Sequence, residues 1–258
     1  MILAIDVGNT NIVLGCIEQG QIRSVVRIHT DTRETEAEYT IKLKEIFYAY
    51  HMDPDGFEGA ILSSVVPPVT GPLVGAVRTL TGLECTVVGP GMKTGMNISV
   101  DDPGTVAGDL IVGGVAAMHF YGAPVIVLDL GTATTATVID EKGSFCGGAI
   151  MPGVKLSYTA LAAGTSLLPE ISITPPKKCI ATNTVDCMRS GAVFGTAAMI
   201  DGLIDRMQAE LGMPCKIVAT GGLASSITPC CRHEIICDDD LLLRGMWYLY
   251  EKNQEKNA

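Results

Sequence analysis

The stretch IDVGNTNIV at residues 5–13 recurs in the second half of the chain as LDLGTATTA at residues 128–136. Both copies read apolar, Asp, apolar, Gly and then Asn or Thr, before a strand-like pattern resumes. A repeat about half a chain apart indicates that a whole structural unit is duplicated. Turn residues after each copy lead into another strand, at residues 22–28 and 145–150, so each half is predicted to begin with three strands joined by tight turns.

Helical and strand patterns alternate after these strands in both halves. In the first half, the predicted helices cover residues 34–50 and 67–80, and the later strands cover residues 59–65 and 85–88. The remaining predicted elements are a buried helix at 110–120, strands at 125–128 and 216–220, and helices at 188–211 and 239–252. This order predicts an α/β protein with two similar lobes, residues 1–115 and 116–258, each built on a mixed sheet, with a ligand cleft between them.

The composition indicates a folded protein that does not bind nucleic acid. Of the 258 residues, 47% are hydrophobic and 18% are charged, and the net charge is −10. That charge repels a phosphate backbone, and no run of Lys and Arg opposes it. An anionic nucleotide would therefore need backbone amides and a metal ion in order to bind.

No pattern in the chain predicts export or membrane insertion. The N-terminus lacks a basic region ahead of its apolar residues, so a signal peptide is not predicted. Residues 111–128 carry no formal charge apart from a possible His119, but Gly113, Gly114 and the turn YGAP at 121–124 interrupt them. A cytoplasmic location, with the nine cysteines reduced, is therefore expected.

The duplicated turn has the chemistry of a phosphate site. Successive backbone N–H groups in such a turn form a concavity that attracts phosphate oxygens, and the hydroxyls of Thr10, Thr132 and Thr134 can add donors. Asp6 or Asp129, just before the turn, would repel phosphate unless it holds a cation that bridges to the phosphate oxygens. The alternative is an ordinary hairpin turn in which Asp and Gly serve conformation only. Two copies at matched positions favour the phosphate site.

Five motifs, taken in order, resemble those of the type III pantothenate kinases, within the acetate-kinase, sugar-kinase and actin superfamily. They are DVGNTN at residues 6–11, DLGTATT at 129–135, GGAIMPG at 147–153, TSLLP at 165–169, and NT at 183–184 followed by MRSG at 188–191. The resemblance runs over nearly the whole chain and implies two ribonuclease-H-like, actin-like lobes. It also implies ATP-dependent phosphorylation of pantothenate, the first step of coenzyme A synthesis, by a homodimer that needs Mg²⁺ and a monovalent cation, K⁺ or NH₄⁺.

The resemblance assigns roles to residues of this chain. The residues implied to contact the ATP phosphates are Asp6, Val7, Gly8, Asn9, Thr10, Asn11, Ile12 and Val13, with help from Thr132. Asp6 would hold the divalent cation together with the phosphates, and Asp129 would hold the monovalent cation. Asp109 would be the base that accepts the proton of the substrate hydroxyl. The residues implied to contact the substrate are Val100, Ala107, Gly108, Asp109, Leu110 and, from the neighbouring subunit, Thr184.

Asp109 suits the role of a base, because a primary alcohol is a poor nucleophile until a carboxylate accepts its proton. Spacing alone leaves a helix N-cap as an equal alternative for this residue. Two departures from the family pattern fall on the substrate side: Leu110 replaces an Arg next to the base, and Val100 replaces a Tyr. Loss of a charge-assisted contact weakens binding by about 1.5–3 kcal/mol without removing phosphoryl transfer as such.

Three functions remain open from the sequence: a pantothenate kinase, a diverged kinase of another small alcohol, and a non-catalytic nucleotide-binding paralogue that acts as a regulator. Retention of Asp6, Asp109, Asp129 and Thr184 favours the two kinases. The helix predicted at residues 188–211 carries several small residues, which allow a neighbour to approach closely. We therefore expect it to form the contact of a homodimer.

Overall fold

The computed structural model describes residues 1–254. Its strands are β1 (Ile2–Val7), β2 (Asn11–Glu18), β3 (Gln21–His29), β4 (Gly59–Ser64), β5 (Cys85–Val87), β6 (Asn97–Ile98), β7 (Val125–Leu130), β8 (Ala133–Ile139), β9 (Ser144–Pro152), β10 (Lys216–Thr220) and β11 (Ile236–Cys237). Its α-helices are α1 (Glu36–Ala49), α2 (Pro67–Thr81), α3 (Gly108–Tyr121), α4 (Val154–Ala163), α5 (Thr184–Ser190), α6 (Thr196–Leu211), α7 (Ala224–Ile227) and α8 (Leu241–Gln254). The predicted α/β class, with two mixed sheets, is confirmed.

The chain forms two compact units. The first contains residues 1–95, residues 102–116 and the C-terminal segment from Leu241, and the second contains residues 96–101 and 117–240. The last helix therefore belongs to the same unit as the first sheet. The predicted lobes, residues 1–115 and 116–258, were instead divided at a single point along the chain.

The first unit is built on a five-stranded sheet in the order β3-β2-β1-β4-β5. Strand β1 pairs antiparallel with β2 and parallel with β4, so it lies in the centre of the sheet. Side chains alternate across the strand, and Leu3, Ile5 and Val7 pack into the core shared with α1 and α2. A side chain on Gly15, which pairs with Ala4, would meet Leu243 of α8, so α8 covers the opposite face. Asp6 belongs to this second face because it alternates with Ile5 and Val7.

The second unit is built on a six-stranded sheet in the order β11-β10-β7-β8-β9-β6. Strand β7 is central, with β8 antiparallel on one side and β10 parallel on the other. Its residues Ile126, Leu128 and Leu130 share a core with Ala192 and Ile200 from the helical segment that follows residue 184. Burial on β7 therefore repeats the pattern of β1.

The predicted duplication of three opening strands is confirmed, since both sheets begin with an antiparallel series whose first strand carries the Asp. The two turns nevertheless differ by one residue. Asp6 pairs with Val13, whereas Asp129 pairs with Thr135. The first turn therefore leaves residues 8–10 outside the strands, and the second leaves only residues 131–132. The first turn offers the longer stretch of exposed backbone.

Helix bounds follow the sequence closely except in the second unit. The helix predicted at residues 188–211 begins at Thr184 and contains a π-helical turn, Gly191–Gly195, between α5 and α6. Helix α4 forms where no helix is predicted. Within residues 1–254, no helix combines the length and the apolar character needed to cross a lipid bilayer.

Candidate active site

Asp6 lies near the carboxyl end of β1, where two parallel strands end side by side. It pairs with Val13 on β2 and with Ser63 on β4. Neighbouring strands lie about 4.8 Å apart, and paired residues present their side chains on the same face. Asp6 and Ser63 are therefore neighbours on the face that α8 covers.

The turn after β1 is held in one shape by hydrogen bonds. The Gly8 N–H donates to the Asn11 carbonyl (2.9 Å), which closes the turn. Thr30 braces it from the end of β3, because its hydroxyl donates to the Gly8 carbonyl (2.6 Å) and its N–H donates to the Thr10 carbonyl (3.0 Å). Asn9 and Thr10 are exposed at the tip. A preorganised, exposed turn of this kind can present its backbone to an anion.

The residues predicted to contact the ATP phosphates have different exposures. Val7 and Ile12 are fully buried in the core of the first unit. They can therefore reach a ligand only through main-chain atoms. Side-chain contacts from this stretch are left to exposed residues such as Asn9 and Thr10.

The two glycines of the duplicated turn provide space rather than a special backbone conformation. Neither Gly8 nor Gly131 has a positive φ. A Cβ on Gly8 would lie 3.2 Å from the Asn11 carbonyl oxygen, and one on Gly131 would lie 3.3 Å from Asp129 Oδ1. At Gly131 the absence of a side chain leaves room beside the Asp129 carboxylate, whereas at Gly8 it leaves room for the hydrogen-bonded closure of the turn itself.

Asp109 lies in the first turn of α3, in the same unit as Asp6. The Ile111 N–H donates to the Ala107 carbonyl (3.3 Å), so Ala107, not Asp109, occupies the N-cap position. The carboxylate Oδ1 of Asp109 accepts the N–H of Leu110 (2.8 Å). Burial raises the pKa of the Asp109 carboxyl above its usual range, and this N–H donor offsets only part of the effect. A carboxylate with a raised pKa is well matched to accepting a proton near neutral pH.

Ser63 is a residue of this region that the sequence pattern did not lead us to predict. Its side chain is 1% exposed, and its Oγ has no hydrogen-bond partner within residues 1–254. A Cβ on Gly108 would lie 3.5 Å from that Oγ, so Ser63 lies against the first residue of α3. The sequence signal that could have pointed to Ser63 is a polar residue at the end of an otherwise apolar strand, in AILSS at residues 60–64.

In the second unit, glycines surround the Asp129 carboxylate. Asp129 pairs with Thr220 at the end of β10, and the chain then turns at Gly221 with φ +92°. A Cβ on Gly221 would lie 2.4 Å from Asp129 Oδ1 and 2.7 Å from the Leu130 backbone. Together with Gly131, it leaves space beside the carboxylate that any side chain would fill.

The hydroxyls predicted near the second turn are placed differently from one another. Thr132 is exposed, and its carbonyl accepts the Gly153 N–H (3.1 Å). A Cβ on Gly153 would lie 2.2 Å from the same carbonyl oxygen, so Gly is required there. Thr134, by contrast, is 0% exposed. Its pairing with Leu130 places it on the core face of the sheet, where its Oγ1 has no hydrogen-bond partner within residues 1–254. The expectation that Thr134 adds a donor for phosphate stays a prediction.

The two substrate-side residues of the second unit lie on different elements. Val100 follows β6 and is half-buried, 3.8 Å from where a Cβ on Gly147 would lie. Thr184 is exposed in the first turn of α5. The Asn183 side chain caps that helix by accepting the Asp186 N–H (2.9 Å). Thr184 is therefore presented outward from a fixed helix start.

The two Asp residues of the repeat suit a cation that takes most of its ligands from phosphate oxygens rather than from the protein. Within residues 1–254, no group of three or more His, Cys, Asp or Glu side chains could hold a metal ion alone. Mg²⁺ in phosphoryl-transfer sites commonly uses one or two carboxylates plus phosphate oxygens and water. Asp6, beside an unsatisfied buried hydroxyl, and Asp129, with cleared space around it, are carboxylates of this kind.

Comparison with known proteins decides the family. A family model described as type III pantothenate kinase matches residues 2–206. A type III pantothenate kinase from Moorella thermoacetica is 42% identical over 257 residues, covering 98% of this chain and 100% of that protein. The chain belongs to the type III pantothenate kinase family. The resemblance carried by the five motifs is thereby confirmed, and the type III pantothenate kinases are enzymes that use ATP and a divalent metal.

Solved structures of proteins at much lower sequence identity share the fold of this chain. A putative 2-dehydro-3-deoxygalactonokinase from Sinorhizobium meliloti superposes with a TM-score of 0.60 at 12% identity, covering 98% of this chain and 96% of that one. Component A of the (R)-2-hydroxyglutaryl-CoA dehydratase from Acidaminococcus fermentans gives a TM-score of 0.58 at 14% identity, covering 98% of both chains. At such low identities the likeness concerns the two-lobed kinase and actin-like fold alone.

Proposed function

We propose that this protein transfers the γ-phosphoryl group of ATP to the primary hydroxyl of pantothenate, the first step of coenzyme A synthesis. Similarity over 98% of the chain to a pantothenate kinase supports the reaction. The observation that carries the chemistry is a half-buried carboxylate with a raised pKa, Asp109, one residue after Gly108. Gly108 lies against Ser63, which is the strand neighbour of Asp6.

In the proposed reaction, Asp109 accepts the proton of the pantothenate hydroxyl as the hydroxyl oxygen bonds to the γ-phosphorus. The bond from that phosphorus to the bridging oxygen breaks, and ADP leaves with the electron pair. Backbone N–H groups at the exposed tip of the first turn, residues 9–10, and the hydroxyl of Thr132 hold the phosphates. A bound Mg²⁺ would supply positive charge that offsets the negative charge of the phosphate oxygens.

We assign different cations to the two Asp residues of the repeat. Asp6 precedes the longer turn, which has more exposed backbone for a triphosphate, so it is proposed to hold the divalent cation with ATP. Asp129 lies beside the shorter turn, and Gly131 and Gly221 keep space next to its carboxylate. That space supports a monovalent cation, K⁺ or NH₄⁺, at Asp129.

The proposed substrate contacts are Val100, Ala107, Gly108, Asp109, Leu110 and Thr184, the last from the partner subunit. Leu110 is half-buried next to the base, and an aliphatic group cannot pair with the pantothenate carboxylate. We therefore propose weak pantothenate binding with an intact catalytic carboxylate. A diverged kinase of another small alcohol is the second candidate, and the apolar character of Leu110 and Val100 is the observation that favours it.

A homodimer is supported by apolar side chains left exposed on the second unit. Ile180 is 86% exposed, in a segment that the Ser190 hydroxyl anchors by donating to the Cys179 carbonyl (2.6 Å). Gly195, in the π-helical turn close by in sequence, has open space around it. This surface supports the predicted dimer contact of residues 188–211. The nine free thiols suit the reducing cytoplasm, where we place the enzyme.

The decisive experiment measures ADP formation by the purified protein with ATP, Mg²⁺ and K⁺, with and without pantothenate. We expect pantothenate to stimulate turnover, and Asp109→Asn to reduce the stimulated rate by about 10²–10⁴-fold because the base is lost. ATP affinity of the variant should stay close to that of the parent protein.

The alternatives give different results in the same assay. Turnover that responds to another small alcohol, but not to pantothenate, would establish the diverged kinase. Nucleotide binding without phosphorylation of any alcohol tested would contradict the enzyme proposal and leave a nucleotide-binding regulator.

A further inference from the structure

Ser63 carries a buried hydroxyl that the protein itself does not satisfy. Its side chain is 1% exposed, and no hydrogen-bond partner for Oγ lies within residues 1–254. Buried hydroxyls are nearly always hydrogen-bonded, since an unpaired one costs free energy. An unpaired hydroxyl in the protein alone is therefore expected to gain its partner in another state of the molecule.

The neighbouring serine shows that this strand end can satisfy a hydroxyl. Ser64 Oγ accepts the Val66 N–H (3.1 Å) and the Thr70 hydroxyl (2.8 Å), both from the segment that follows the strand. Ser64 lies on the opposite face of β4 from Ser63 because side chains alternate along a strand. The two serines are thus matched in type and position but differ in what they contact.

Two groups of the proposed site adjoin the Ser63 hydroxyl. Asp6 is its direct partner in the parallel pairing of β1 and β4, on the same face of the sheet. On the other side, a Cβ on Gly108 would lie 3.5 Å from Oγ, so the first turn of α3 closes over it. The short side chains of Asp6 and Ser63 on adjacent strands lie within hydrogen-bond reach of each other once the carboxylate turns toward the serine.

We propose that Ser63 is a positioning residue for phosphoryl transfer: its hydroxyl donates a hydrogen bond to one oxygen of the Asp6 carboxylate, leaving the other oxygen directed at the divalent cation. This inference rests on the proposed function, in which Asp6 holds the cation with ATP. Carboxylates that bind metals are themselves commonly held by such outer hydrogen bonds, and loss of one lowers metal affinity or activity by about 10–100-fold.

The test combines metal binding with stability in Ser63→Ala. Mn²⁺ is titrated into the protein in the presence of ADP, and free Mn²⁺ is followed by electron paramagnetic resonance. We expect the Kd for Mn²⁺ to rise about tenfold or more, because the Asp6 carboxylate loses its donor. The melting temperature without ligands should stay unchanged or rise, because the substitution removes an unpaired buried hydroxyl.

Ser64→Ala is the matched control, with the opposite pair of outcomes. It removes two hydrogen bonds at the start of α2, so its melting temperature should fall while its Kd for Mn²⁺ stays that of the parent protein. Ser63→Thr keeps the hydroxyl and should bind Mn²⁺ more tightly than Ser63→Ala.

An unchanged Mn²⁺ affinity in Ser63→Ala would overturn the proposal, as would a fall in melting temperature with unchanged metal binding. Failure of the parent protein to bind Mn²⁺ with ADP would overturn both this inference and the assignment of Asp6. Failure to phosphorylate pantothenate, with the metal effect of Ser63→Ala intact, would reject the substrate and leave the role of Ser63 standing.

Discussion

Asp109 is the proposed catalytic base, and its ionised form lowers the stability of the folded protein. Burial raises the pKa of its carboxyl in the folded protein above the unfolded value. Protonated Asp109 therefore stabilises the fold at low pH, and that contribution is lost as the pH rises through the folded pKa. The ionised form of Asp109 is therefore the less favourable one for folding, which is the cost that its proposed role as a base carries.

Asp109→Asn should therefore stabilise the protein at neutral pH. The amide has nearly the same shape and no charge, so the desolvation of the carboxylate is removed. We expect a higher melting temperature than that of the parent protein at pH 7, with the difference shrinking below the unfolded pKa of Asp, about 3.9. Thermal unfolding followed by circular dichroism at both pH values measures this. A lower melting temperature at pH 7 would mean that the carboxylate makes a stabilising contact in the fold.

Leu110→Arg should lower the KM for pantothenate, because a guanidinium next to the base can pair with the substrate carboxylate. A charge-assisted hydrogen bond contributes about 1.5–3 kcal/mol, which corresponds to roughly tenfold or more in KM. Leu110 is only half-buried, so the longer side chain can be accommodated. Steady-state kinetics with varied pantothenate provide the measurement, and Leu110→Met is the control of similar volume without charge. An equal KM in both variants would show that another group holds the carboxylate.

At the scale of elements, the duplicated turn is one sequence motif with two geometries. The repeat of Asp, apolar and Gly predicts both turns, but the one-residue difference between them depends on how each second strand pairs with the first. Asp6 opposes Val13, while Asp129 opposes Thr135, and register of this kind is set across strands rather than along the chain.

Gly221→Ala should damage the second turn, and Gly222→Ala should not. A Cβ at Gly221 would lie 2.4 Å from Asp129 Oδ1, at a backbone φ of +92° that side chains rarely adopt. Gly222 has no atom within 4 Å of its would-be Cβ, which makes it a matched control. We expect Gly221→Ala to lose at least about 1–2 kcal/mol of unfolding free energy. Urea denaturation of the two variants compares them, and equal midpoints would contradict the steric argument.

Local signals predicted most helices, and contacts distant in sequence account for what was missed. Thr35 and Glu38 form a capping box that marks the start of α1, a pattern visible in the sequence. The π-helical turn Gly191–Gly195 carries no such mark, although a Cβ on Gly191 would lie 2.5 Å from the Tyr158 hydroxyl of α4. Ser63 was missed for the same reason, since its importance depends on α3 lying beside β4.

At the scale of the whole molecule, the last helix completes the first unit rather than the second. A Cβ on Gly59 would lie 1.9 Å from the Tyr250 hydroxyl, and one on Gly245 would lie 2.6 Å from the Val112 carbonyl oxygen. These close approaches fit α8 against β4 and against the first part of α3. Chain order could not reveal this return to the first sheet, because the contacts join residues nearly 200 positions apart, as when the Tyr250 hydroxyl donates to the Glu58 carbonyl (3.5 Å).

Assembly provides the last prediction, and it tests the proposed homodimer at Ile180, an exposed apolar side chain of the second unit. Ile180→Glu places a charge at a side chain that is 86% exposed, so the monomer should fold normally while the dimer dissociates. Ile41→Glu, at a side chain of α1 that is 61% exposed in the first unit, is the matched control and should remain dimeric. Sedimentation velocity measures both. If Thr184 acts on the neighbouring subunit's substrate, Ile180→Glu should also raise the KM for pantothenate and leave ATP affinity unchanged. A monomeric parent protein, or dimeric Ile180→Glu, would place the contact elsewhere or reject it.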